Sequence, residues 1–116
     1  MKMVRPWGEI RRFYADLATS SPTFSSMLAL VSEIEQSKYA TGLFAWTSHS
    51  ALCIVQTRVS HPYEGPYLRV SPTADGKLEF RYLDTAIENR QWHRTVEASK
   101  AFARLERFID QLHWFT

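Results

Sequence analysis

The stretch Tyr67-Leu68-Arg69-Val70-Ser71-Pro72-Thr73-Ala74-Asp75-Gly76-Lys77-Leu78-Glu79-Phe80-Arg81-Tyr82-Leu83 decides the reading of this chain. Its two arms alternate apolar and polar residues strictly, the period of a strand with one face on a core, and Asp75-Gly76 between them is the chemistry of a tight reversal. The stretch therefore predicts an antiparallel hairpin. Leu68, Val70, Leu78, Phe80 and Tyr82 share one face, and Arg69, Glu79 and Arg81 share the other, with Glu79 opposite or diagonal to Arg69.

Upstream of the hairpin, Leu43 to Thr47 and Ala51 to Thr57 are short runs rich in β-branched and aromatic residues, separated by Ser48-His49-Ser50. They read as a second hairpin. Both of its faces look apolar, which places these strands centrally or under cover on both sides. Residues 58–66, with two prolines and a glycine, form a loop between the two hairpins.

Further out the period lengthens. Trp7, Ile10, Phe13, Tyr14 and Leu17 lie at helical spacing over 6–18, and Phe24, Met27, Leu28, Val31 and Ile34 repeat it up to Ser37 after the Ser20-Ser21-Pro22 break. Downstream, residues 85–94 read as a polar connection. Thr95 reads as the N-cap of a last helix, with Glu97 in its first turn and Ala98, Ala101, Phe102, Leu105, Phe108, Ile109 and Leu112 as its apolar stripe. The expected fold is thus a single α+β domain over 1–116: two N-terminal helices, a four-stranded antiparallel meander and a long amphipathic C-terminal helix packed on the sheet.

Composition narrows the functional classes. The chain has 116 residues, 45% of them hydrophobic and 22% charged, which is an ordinary globular balance. Its 14 basic and 12 acidic residues are interspersed, so no basic stripe tracks a phosphate backbone, and nucleic acid is not an expected partner. No apolar run reaches the roughly 18 residues of a membrane span, and the N-terminus lacks the apolar segment of a secretory signal. The single Cys53, between Leu52 and Ile54, reads as a small core residue in a reducing compartment, so the expected location is cytoplasmic.

The phosphate-loop, dinucleotide-binding, nucleophile-elbow and zinc-helix patterns are all absent, and no two of His49, His61, His93 and His113 stand at metal-ligand spacing. No catalytic residue, cofactor or metal is assigned, and the balance leans away from an enzyme. A meander does imply one place for a site. Loop 58–66 and segment 84–95 fall at the same end of the sheet, together with the start of the last helix, and gather His61, Tyr63, Glu64, Arg90, Trp92, His93 and Arg94. Aromatic anchors, arginines, a titratable imidazole and a helix N-terminus would suit a binding edge. The alternative is that Trp92 caps the core and its polar neighbours are solvated. The terminal Trp114 and Phe115 must also be buried, either against the first helix or across an interface.

Two functional readings follow. The preferred one is a non-catalytic protein-interaction or regulatory accessory domain that contacts a protein partner or a second copy as a homodimer. The alternative is small-ligand binding, of an anion for instance, or weakly marked enzymatic chemistry at the 58–66 and 84–95 edge.

Overall fold

All five strands of the sheet are antiparallel and lie in chain order, so the meander is as expected but one strand longer. The computed structural model describes residues 4–57, 65–84 and 88–114. Helix α1 (Trp7–Ser20) and helix α2 (Ser25–Glu35) precede the sheet. Strands β1 (Phe44–Ser48), β2 (Ala51–Val55), β3 (Tyr67–Pro72), β4 (Lys77–Leu83) and β5 (Trp92–Glu97) form it, and helix α3 (Ala101–Gln111) closes the chain. No helix among the described residues is long and apolar enough to cross a membrane.

The extra strand is the main correction. Residues 92–97, read as the tail of a connection and the first turn of the last helix, form β5, and α3 begins at Ala101. Thr95 pairs with Glu79 in the β4–β5 ladder and caps no helix, and Glu97 stands opposite Lys77. The consequence is geometric. A fifth run of residues along the sheet carries the chain to the other end, so α3 starts beside the tight turns and not beside the long connections. The helix N-terminus therefore leaves the expected binding edge.

The central hairpin is as its alternation requires. Gly76 takes φ +83° in the turn, a conformation that suits glycine, and the Thr73 hydroxyl donates to the Asp75 carboxylate. Leu68, Val70, Leu78 and Phe80 are fully buried on one face, where Leu52, Ile54 and Ala45 continue the layer. The three helices cover this face. Tyr14 of α1 donates to the Ser50 carbonyl at 3.1 Å in the first turn of the sheet, and Arg11 of α1 pairs with Glu35 of α2 at 2.7 Å. From α3, Ala101, Leu105, Phe108 and Ile109 enter the same core, while Phe102 is only half-buried.

The opposite face divides in two. Over β1 to β3 a small second cluster covers it, with Val4, Phe44, Trp46 and Tyr67 around Val55, so all of β2 is buried. Over β3 to β5 it is charged. The register places Arg69 opposite Arg81, and Arg81 in turn opposite His93, with Glu79 diagonal to Arg69.

The chain ends by folding back. His113 adopts φ +58°, its N–H donates to the Asp110 carbonyl, and the Trp114 N–H donates to Ile109, the paired bonds of a helix-terminating left-handed turn. Trp114 is thereby laid against the main core, and Phe115 lies outside the described residues.

Candidate functional site

Of the residues expected at the binding edge, His61, Tyr63 and Glu64 lie outside the described residues, and the other four are placed together. Arg90 ends a short 3-10 turn, Trp92 opens β5, and His93 and Arg94 follow it on that strand. They have different surroundings. Trp92 is half-buried, stacks on Tyr82 with ring centroids 5.8 Å apart, and meets Phe108 at 4.9 Å. It closes the end of the core, and the exposed Arg94 lies over its outer face at 5.6 Å.

A shallow cavity of about 110 Å³ opens beside them, lined by Arg81, Tyr82, Leu83, Gln91, Trp92 and His93. Gln91 fixes its wall by donating to the Asp84 carbonyl at 3.0 Å. With a liquid water occupying about 30 Å³, such a space admits only a small group. Burial, and secondarily the Asp84 carboxylate, push the Tyr82 hydroxyl above its usual range, so it remains protonated near neutrality and offers no base. Among the described residues no three of His, Cys, Asp and Glu converge as metal ligands. A larger cavity of about 300 Å³ lies at the opposite edge, between Val4, Trp7, Ala40, Leu43 and Phe44. Its walls are mainly apolar and its one charged residue, Arg5, is 3.7 Å from Glu9, so it assembles no chemical group.

What sequence reading missed at this site is the strand edge itself. In the hairpin, the Thr73 N–H donates to the Lys77 carbonyl at 2.9 Å, so the backbone of Lys77 points toward β3. Backbone groups alternate sides along a strand, which turns Leu78, Phe80 and Tyr82 toward β5. Their register partners Val96, Arg94 and Trp92 complete that ladder. It follows that the N–H and C=O groups of His93, Thr95 and Glu97 point away from the sheet. The Glu97 carbonyl accepts the first bond of the 3-10 turn Ala98–Lys100, and the Arg94 guanidinium donates to the His93 carbonyl at 2.7 Å; no backbone hydrogen bond among the described residues reaches the other outward groups. The signal available in the sequence was the alternation of Trp92, Arg94 and Val96 with His93, Thr95 and Glu97, weakened because a charged residue occupies the middle inward position. Compared with known proteins, the chain matches no family model, no curated protein and no solved structure.

Proposed function

We propose that this chain is a non-catalytic protein-interaction domain, an accessory or regulatory module whose contact surface is the outer edge of β5. The observation that carries this reading is the row of outward backbone groups at His93, Thr95 and Glu97, on an exposed strand that ends the sheet. Such an edge is a template for an added strand, and main-chain hydrogen bonds supply much of the affinity in that mode of recognition. A cytoplasmic setting belongs to the same proposal and is supported by the free, buried Cys53.

The Thr95→Pro substitution tests it. Proline is tolerated on an edge strand where the lost N–H faces outward, so the β4–β5 ladder survives while one outward donor disappears. A protein retained from cell extract by the tagged chain should be lost by the tagged variant at unchanged melting temperature. Retention of the same proteins by both would sink the assignment.

A second reading, binding of a small anion, is supported by the cavity between Arg81 and His93 and by the Arg69, Arg81 and His93 row, in which the two arginines stand directly opposite one another across strands. Saturable amide shifts at residues 81 and 91–93 on titration with phosphate would favour it. A titration that leaves them unmoved removes it.

A further inference from the structure

The pattern on the β5 edge is one that a second copy of this chain satisfies. We propose that two copies pair β5 against β5, antiparallel about a two-fold axis, with Thr95 opposite the partner's Thr95, joining two five-stranded sheets into one. The proposal rests on the reading of the β5 edge as the contact surface and names its occupant.

The register follows from backbone direction and charge. Outward-pointing residues must meet outward-pointing residues to exchange hydrogen bonds. With Thr95 on the axis, His93, Thr95 and Glu97 of each copy all find partners, and His93 stands opposite the partner's Glu97 at both ends. Sliding the strands to put Arg94 on the axis sets two arginines against each other and leaves Glu97 beyond the paired segment. Moving the axis to His93 opposes two imidazoles, and moving it to Val96 leaves His93 facing residues past the end of the strand. Only the Thr95 register uses the whole edge and pairs unlike groups.

The charges of the sheet face extend the argument. Within one copy Arg69, Arg81 and His93 form a row that ends at the open edge, and Lys77 stands opposite Glu97. Across the axis the row continues with the partner's Glu97 and then the partner's Lys77, so a carboxylate is placed where the cations end. Opposite charges directly across strands are favourable and like charges are not. The Arg94 guanidinium must leave the His93 carbonyl, which then accepts from the N–H of the partner's Glu97. Arg94 retains the Trp92 ring and lies beside the partner's Val96. At the far edge of the sheet the Arg5 N–H already donates to the Ala45 carbonyl at 2.9 Å, so the assembly closes as a pair and does not grow into a filament.

Two measurements on the full chain test this. In sedimentation velocity the native chain should be a dimer. His93→Glu alone and Glu97→Lys alone should each be monomers, because the first opposes two carboxylates at both ends and the second puts a lysine in place of the carboxylate at the end of the Arg69–Arg81 row at both ends. An equal mixture of those two variants should recover the dimer, since every cross-axis pair is again unlike. Separately, hydrogen-bonded antiparallel residues have Cα atoms about 5.5 Å apart, within disulfide range. Mild oxidation should therefore cross-link Thr95→Cys with itself and spare Ser99→Cys, an exposed position beyond the strand. The native Cys53 is buried, with its thiol pushed up to about 11, and stays silent. A native chain that is monomeric throughout overturns the dimer and leaves the edge reading to its own Thr95→Pro capture test. A native dimer that ignores both charge variants, or that cross-links Ser99→Cys as readily as Thr95→Cys, places self-association elsewhere and overturns the proposal.

Discussion

The two outer strands of this sheet, β1 and β5, end in opposite ways. At β1 the chain covers much of its own edge: Arg5 donates its N–H to the Ala45 carbonyl, and the indole of Trp7 donates to the Leu43 carbonyl at 3.0 Å. At β5 the outward groups of His93 and Thr95 and the Glu97 N–H meet no backbone among the described residues; one arginine side chain covers the His93 carbonyl, and the Glu97 carbonyl starts the next turn. The difference comes from what adjoins each strand in sequence. The segment before α1 can lie along β1 because Trp7 is anchored in the core, whereas the chain leaving β5 turns at once into α3, which packs on the face of the sheet and not along its edge. An edge is closed where a neighbouring segment has its own reason to be buried nearby.

This contrast can be broken in graded ways. Trp7→Ala should have the largest effect, since it empties a buried site and releases the Leu43 carbonyl together; a loss of about 3–5 kcal/mol in urea unfolding is expected. A loss under about 1 kcal/mol would mean that the β1 edge is not held by the core. Alkaline pH acts between the edges, on the fully buried strand β2. Burial pushes the Cys53 thiol from 9.0 to about 11, so the folded state resists ionisation that the unfolded chain undergoes. That contribution is complete below pH 9 and is lost as the pH rises toward 11, an effect of about 2–3 kcal/mol at most. Urea midpoints of the native chain and a Cys53→Ala variant from pH 8 to 11 should diverge in slope accordingly; parallel curves would refute it.

Trp92→Ala should cost about 2 kcal/mol, less than Trp7 because the ring is only half-buried against Tyr82 and Phe108. That loss would identify Trp92 first as the cap of the core, whereas lost partner capture with unchanged stability would identify it as an anchor. The sharpest comparison is also the smallest. Arg5→Pro removes a bonded N–H and should cost about 1 kcal/mol. Thr95→Pro removes an outward one and should stay within about 0.5 kcal/mol in dilute solution. Equal costs would mean that the two edges do not differ.

The legible parts of the fold were those where a strong period coincided with burial. The Tyr67–Leu83 alternation produced the β3–β4 pair residue for residue, and the apolar runs of the first hairpin correctly placed β2 under cover on both faces, whereas β1 is an outer strand and only partly buried. β5 was not legible. Its inward positions Trp92, Arg94 and Val96 are apolar only at their ends, because an edge strand needs little core contact, and Thr95 with Glu97 imitates the start of a helix equally well. Of the proposed edge, Arg90, Trp92, His93 and Arg94 could be grouped from topology, while Arg81, Thr95 and Glu97 could not, since their place in it depends on which way a backbone points.

By itself, then, the sequence determined the helical stripes, the central hairpin and its faces, all of which follow from the spacing of apolar side chains and one turn, while the meander order was assumed as the simplest connection and came only from the structure. Only the tertiary structure decided that residues 92–97 would be a strand, that α3 would start at the opposite end of the sheet, and that one edge would be closed and the other left open. The physical reason is that an edge is a matter of backbone hydrogen bonds. Every residue but proline carries the same donor and acceptor, so nothing in the identity of a side chain announces whether its backbone partner is another strand, a stretch of the same chain or an open position.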